Sequence, residues 1–240
     1  MENERKWVIP DLHGCVKTLQ ALIENQIKPT KKDKLFFLGD YIDRNHNPKG
    51  VLDYLLNLEE EGYRIFPLRG NHEEYLLMAY NAEQKLKRRF LFGKEKNPVM
   101  DQWLKHGGFN TLKSFRIKNI KEIPAKYIQW LNGLKYYYLE GDYVIVHAGL
   151  NFDRLDPFED THAMLWSGSF RPVPENIGHK TIIHGHVPVS LGFLQNVLNN
   201  PESKVIALDN GCYLSGTNGM GNLTALELNT RQLVLQPCVD

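Results

Sequence analysis

Cysteine is scarce in this chain: Cys15, Cys212 and Cys238 are its three, an odd number with no CxxC spacing. That argues against a disulfide framework or a structural zinc site, and it makes a reducing cytoplasm the expected setting. An excess of one charge is missing too. Lys and Arg total 29 against 28 Asp and Glu, net +1 with His neutral, so nothing in the balance calls for nucleic acid or a membrane surface. No apolar run is long enough to span a bilayer, and the opening MENERKWVIPDLHG has no charged-then-apolar signal pattern. Repeats and low-complexity linkers are absent as well. What is left, 42% hydrophobic and 24% charged, is ordinary globular composition, and 240 residues suit a single domain over 1–240 with a sizeable core.

Short apolar runs alternate with helical patterns through the first half. WVIP (7–10), KLFFLGD (34–40) and RIFPLRGN (64–71) each read as a strand entering a loop. CVKTLQALIEN (15–25), GVLDYLLNLEEEG (50–62) and HEEYLLMAYNAEQKLKRRF (72–90) carry helical spacing of their apolar residues. This alternation implies βαβ units and a parallel sheet. Later the pattern changes. YYYLEGDYVIVHAG (136–149) reads as a hairpin turned at Gly141–Asp142, TIIHGH (181–186) as a buried strand, and VIALDNG (205–211) and LTALELNTRQLVLQP (223–237) as closing strands. A run of strands after β–α alternation predicts an α/β protein with a mixed sheet, or two sheets packed face to face with helices outside. Residues 91–133 are irregular and partly helical, a cap-like segment over one edge.

One regularity carries the functional reading. Asp11 and His13, Asp40 and Asp43, Asn71 and His72, His147 and His186 all sit just past the end of a predicted apolar strand. Sites in open α/β sheets form at the carboxyl ends of strands, so these residues should converge along one rim. Taken singly, an Asp before a loop is usually a helix cap, a buried His usually a hydrogen-bonded core residue, and Gly39, Gly70 and Gly185 plain turn glycines. Five such coincidences at successive strand ends make a set. Carboxylates, an amide and imidazoles without thiolate suit two divalent ions, manganese first, with iron or zinc also compatible. A carboxylate at Asp40 has two oxygens and is the best candidate to bridge them. Two cations a few ångströms apart acidify a shared water and neutralise phosphoryl charge, which favours in-line attack by hydroxide.

PDLHG, GDYIDR, LRGNHEEYLL, VIVHAGL, GHVP and LDNGCYLSG, in that order, resemble the bacterial and phage-type serine/threonine phosphoprotein phosphatases of the calcineurin-like metallophosphoesterases. The resemblance implies a four-layer fold of two mixed sheets between helices. It implies that Asp11 and His13 hold one metal, that Asp40 bridges, and that Asn71, His147 and His186 complete the second. His186, not the neighbouring His184, takes the family's Gly-His position. His72 becomes the general acid with Asp43 holding its other nitrogen, and Arg44 grips phosphoryl oxygens, with Asn71 and His72 also facing the phosphate.

Three departures qualify the match. Pro10 stands where the family has glycine, which stiffens the approach to Asp11. Asn45 stands at another glycine position, and its tolerance of left-handed backbone lets the turn survive. In LWSGSF (165–170) Gly168 stands where the family commonly carries an arginine, leaving Arg171 or Arg154 to substitute, against the plainer reading of both as surface residues. The implied substrate is a phosphorylated protein or a small phosphorylated molecule. Symmetrical dinucleoside tetraphosphate hydrolysis is the rival, and Asp43, Arg44 and Glu73 count against it. A non-catalytic phospho-binding module is a further alternative. A nuclease finds only Lys85, Lys87, Arg88, Arg89, Lys94 and Lys96 as a basic patch, whose helical spacing reads more simply as a solvated face.

Overall fold

A computed structural model describes residues 4–86, 88–89, 93–94 and 97–240. Lys87 and Lys96 of the basic run lie outside the described residues.

The first sheet has the order β11-β10-β1-β2-β3, built from β1 (Lys6–Ile9), β2 (Lys34–Phe37), β3 (Arg64–Pro67), β10 (Asn222–Glu227) and β11 (Leu233–Pro237). β1, β2 and β3 are parallel; β10 runs antiparallel to β1, and β11 to β10. The second sheet has the order β6-β7-β8-β9, from β6 (Tyr137–Glu140), β7 (Tyr143–Val146), β8 (Thr181–His184) and β9 (Val205–Ala207). Its β6–β7 pair is the expected hairpin through Gly141–Asp142, whereas β7, β8 and β9 are parallel. The remaining strands, β4 (Arg88–Arg89) and β5 (Gly93–Lys94), form a short antiparallel pair.

Strand alternation explains the layering. Val8 and Phe36 point from the first sheet into a core shared with Ile145, Ile183 and Ile206 of the second. Their neighbours Trp7, Ile9, Leu35 and Phe37 point the other way, onto the apolar faces of α1 (Val16–Ala21), α2 (Pro48–Glu60) and α3 (Asn71–Lys85). Val144, Val146 and Ile182 bury the outer face of the second sheet against Met164 of α7 (Thr161–Trp166). Strands buried on both faces read as continuous apolar runs, as these do. The result is helix, sheet, sheet, helix.

Several boundaries moved for local reasons. α2 starts at Pro48, not residue 50, because Asn47 caps it by accepting the Gly50 amide at 3.0 Å and proline suits the first turn. α1 continues as a π-helical stretch, Leu22–Ile27, before Lys28 turns left-handed. α3 ends at Lys85. The closing strands are not one run: α8 (Leu191–Asn199) crosses from β8 to β9 and makes that pair parallel. Residues 97–133 are largely helical, with α4 (Pro98–Trp103), α5 (Phe109–Phe115) and α6 (Ala125–Gly133). Their Trp103, Leu112 and Leu131 join the core on the helical side of the first sheet. Among the described residues no helix is long and apolar enough to cross a membrane.

Candidate metal centre

The ends of β1, β2, β3, β7, β8 and β9 deliver Asp11 and His13, Asp40, Asn71 and His72, His147, His186, and Asp209 to one rim. Except for His186, which is partly exposed, all of these are buried. Several are held with left-handed backbone: His13 (φ 41°), Asp40 (φ 51°), Asp43 (φ 67°), Arg44 (φ 60°) and His186 (φ 69°). Such residues cost on the order of 1–2 kcal/mol each outside glycine, and strain of this kind collects at functional sites. Asn45 is not among the left-handed residues. The conformation expected there falls on Asp43 and Arg44, while the Asn45 amide donates to Cys15 Sγ at 3.1 Å.

Asp40 sits at the middle. Its Oδ2 lies 3.5 Å from His13 Nε2 and 4.0 Å from His72 Nε2, and its Oδ1 lies 3.7 Å from His147 Nε2. Two groupings of donor atoms meet here, His13 with Asp40 and His72, and Asp40 with His147 and His186, each within 4.8 Å. Asp40 is common to both. Burial opposes its ionisation, but the positive charge that His147, His72 and His13 carry when protonated outweighs that and draws the carboxyl well below the usual carboxylate range. The backbone locks it as well: its Oδ1 accepts the His72 amide at 3.0 Å.

His147 Nδ1 donates to the Leu38 carbonyl at 2.8 Å and His13 Nδ1 to that of Ile42 at 2.9 Å, so each Nε2 is left as a lone-pair donor facing the cluster. Burial lowers the pKa of both rings, and that of His186 to about 4, keeping them neutral as metal ligation requires. Asn71 Oδ1 stands 3.0 Å from His147 Nε2 and 3.1 Å from His186 Nδ1. Asp11 accepts the His186 amide on both oxygens at 3.1 Å and falls outside the two groupings. Burial, then the charges of Asp209 and Asp40, push its carboxyl well up. His184 turns away, its Nδ1 3.0 Å from the Gly185 carbonyl oxygen.

His72 and Asp43 form a second unit at the edge of the cluster. His72 Nδ1 donates to Asp43 Oδ2 at 2.7 Å, and that oxygen also accepts Trp103 Nε1 at 3.0 Å. Thr111 Oγ1 donates to the other oxygen at 2.5 Å. Burial works against a charged His72, but Asp40 and the Asp43 hydrogen bond prevail and raise its pKa. Arg44 lies with its guanidinium over the Tyr213 ring, 4.8 Å to the centroid, and its Nη2 is 3.5 Å from His72 Nε2. Arg171 is exposed and lines a cavity of about 530 Å³ with Asn151, His162 and Trp166.

Four residues support the site beyond the ligands read from the sequence, where Glu73 was named only as a marker of substrate class. Glu73, the third residue of α3, is buried and accepts the amides of Asp40 (2.8 Å), Gly70 (2.9 Å) and Tyr41 (2.9 Å). Burial and the charge of Asp40 push its carboxyl up to about 8, against the pull of those amides. The capping-box position was its signal. Trp103 and Thr111 come from the stretch read as irregular and carried no signal. Asp209 follows β9, and its Oδ2 is buried with no hydrogen-bond partner. Burial pushes it up to about 7, with the Gly211 amide opposing.

Divalent cations fit this donor set. Asp11, Asp40 and Asp209 crowd negative charge into a buried site, one carboxylate oxygen is orphaned, and neutral imidazoles face inward. Buried charge of one sign is costly without a counter-ion. Glycine makes room for it. A Cβ at Gly185 would stand 2.2 Å from Asp11 Oδ1, and one at Gly70 would stand 2.1 Å from Asp40 Oδ1. Gly185→Ala is therefore expected to displace Asp11 and weaken metal binding at least tenfold, with a folding cost of about 1–3 kcal/mol from overpacking. Metal titration alongside thermal melting checks this; wild-type metal affinity in the variant would mean that Asp11 is not needed.

A two-sheet α/β sandwich with such donors at its strand ends defines a metal-dependent phosphoesterase. The chain belongs to the calcineurin-like phosphoesterase family, whose model matches residues 5–220. A symmetrical bis(5'-nucleosyl)-tetraphosphatase of Nitrosospira multiformis is 25% identical over 146 residues, 60% of this chain and 43% of the relative. The match thus spans less than half the length of that protein. A solved structure provisionally assigned as a diadenosine tetraphosphatase superposes with TM-score 0.60 at 18% identity, covering 98% of this chain and 93% of the other. A protein serine/threonine phosphatase from Saccharomyces cerevisiae also gives TM-score 0.60 at 18% identity, covering 99% and 81%. At such identities the two structures speak for the fold alone.

Proposed function

We propose that this chain hydrolyses small phosphorylated molecules, with symmetrical dinucleoside tetraphosphates as the first substrate class. The observation that carries the hydrolytic part is the buried His72–Asp43 pair at the edge of a donor cluster centred on Asp40. The substrate class leans on the tetraphosphatase relatives, and it moves the preference away from the phosphoprotein substrate that the motifs suggested.

In this reading Asp11, His13, Asp40, Asn71, His147 and His186 hold two divalent cations, manganese first and iron or zinc compatible with the same donors. When bound, the cations supply an acidified water and neutralise phosphoryl charge. Arg44 binds phosphoryl oxygens through its planar fork, kept in place by the Tyr213 ring. Asp43 holds His72 with Nδ1 protonated, so Nε2 is the atom that hands a proton to the leaving oxygen. Beyond His72 a series of rings leads outward: His106 lies 6.5 Å from it, Tyr75 stacks on His106 at 5.1 Å, and Trp166 meets Tyr75 at 5.9 Å. Rings of this kind can stack on a nucleobase.

A phosphoprotein phosphatase is the second reading, favoured by the Asp43–Arg44 ending of GDYIDR and by Glu73. A panel of diadenosine tetraphosphate, phosphopeptides and aryl phosphate, run with manganese and with a chelator, separates the two. The expected result is chelator-sensitive turnover with the dinucleotide giving the highest kcat/KM. Phosphopeptides ahead of it would reverse the order, and no turnover on any member would favour a non-catalytic binding module.

A further inference from the structure

The three cysteines come from points far apart in the chain and meet at one place. Cys15 follows the first metal-facing loop and opens α1, Cys212 starts a short turn after the left-handed Gly211, and Cys238 lies two residues before Asp240, the last of the sequence. Their sulfurs all lie within 4.8 Å of one another, and all three are free thiols. The chain has no other cysteine.

We infer that Cys15, Cys212 and Cys238 form a three-thiolate site for one soft cation, Cu(I) or Zn(II), separate from the oxygen–nitrogen centre. Three sulfur ligands without carboxylate or imidazole select thiophilic ions, whereas the Asp40 cluster suits harder ones. Metal–sulfur bonds of about 2.3 Å put ligand sulfurs roughly 3.8–4.0 Å apart, so the trio needs to close by less than about 1 Å. A disulfide would use two of the sulfurs and strand the third; a cation uses all of them.

The surroundings fit a ligand site. Asn45 Nδ2 donates to Cys15 Sγ at 3.1 Å, the kind of hydrogen bond that steadies a thiolate ligand. Cys15 and Cys212 are buried while Cys238 is partly exposed, which leaves an entry path. The chain end is already tied down beside them. Asp240 accepts the amides of Lys17 (3.1 Å) and Thr18 (2.9 Å) and the Thr18 hydroxyl (2.7 Å), while the Val239 amide donates to Thr18 Oγ1 at 2.9 Å. The Cys238 amide donates to the Gly221 carbonyl at 2.9 Å. Cys238 is thus presented to the other two before any cation arrives.

The test uses full-length protein purified anaerobically and saturated with manganese. Titration with Cd²⁺ is expected to give thiolate-to-metal charge-transfer absorption that saturates at one ion per chain. Cys238→Ser and Cys15→Ser should both abolish that signal, and the partly exposed Cys238 makes its variant the safer one for folding. Competition against the cadmium signal by Cu(I) and by Zn²⁺ separates the two candidates. Melting temperature should rise with the winning ion in wild type and not in Cys238→Ser. A thiol count of three with no charge-transfer band would overturn the inference. So would a band of full intensity in Cys238→Ser, or a count of one free thiol, which would make the trio a disulfide pair.

Discussion

His72→Asn is expected to lower turnover by about two to four orders of magnitude on substrates with poor leaving groups, while metal content stays near wild type. The geometry gives the reason. Nδ1 is committed to Asp43, whose carboxylate is itself fixed by Trp103 and Thr111, so the ring cannot rotate or change tautomer freely. The remaining nitrogen faces the cluster 4.0 Å from Asp40 Oδ2, beside the Arg44 guanidinium. Asp40 and Asp43 raise its pKa despite burial, which keeps a proton on Nε2 to higher pH than an isolated imidazole would. Asparagine keeps the backbone amide that Asp40 accepts but has no proton to give. Aryl phosphates, whose leaving groups depart without protonation, should lose much less. The check is kcat on alkyl and aryl phosphates with metal analysis of the same sample. Equal losses on both would sink the proton-donor role, and lost metal would make His72 a ligand.

The rim was readable because its signal is local. Asp11, Asp40, Asn71, His147 and His186 each end an apolar run, and strand-then-loop can be recognised from a few residues. The hairpin at Gly141–Asp142 was readable for the same reason. What depended on distant partners was not. Trp103 and Thr111 look like ordinary residues of amphipathic pieces, and only their packing under Asp43 gives them a role. The helix Leu191–Asn199 was passed over, and with it the parallel pairing of β8 and β9. Asp209 reads as a turn residue until its partnerless buried oxygen is seen and its charge is found to act on Asp11. The cysteine spacing argued against a disulfide framework or a structural zinc site, yet spacing says nothing about thiols brought together by β1, β9 and the chain end.

The placement of Asp40 also follows from its neighbours more than from its own sequence context. Its amide donates to Glu73, its carboxylate accepts the His72 amide, and Gly70 leaves the space that its oxygen fills. The loop after β2 and the start of α3 are therefore locked to each other through Asp40 and Glu73. Donors supplied by separate strands then converge without a long loop having to be ordered. That rigidity offsets the left-handed backbone at Asp40 and Asp43.

Asp40→Asn is expected to strip both cations and reduce turnover by at least about 10³-fold, since an acidified water is the main chemical contribution of such centres. Asp40 is the residue shared by the two donor groupings, with His13 and His72 on one side and His147 and His186 on the other. Asparagine has nearly the same shape and retains an oxygen for the His72 amide, so the change isolates the charge and the second carboxylate oxygen. A neutral amide cannot serve two cations with equivalent oxygens, nor offset their mutual repulsion. Asp11→Asn provides the contrast. Asp11 lies outside both groupings and faces the His186 amide, so its loss should weaken one ion and leave the other. Metal-to-protein ratios after dialysis, with circular dichroism to confirm folding, separate the outcomes. Two ions retained in folded Asp40→Asn would remove Asp40 from the bridging position. Loss of both in Asp11→Asn would mean that the two sites fill only together.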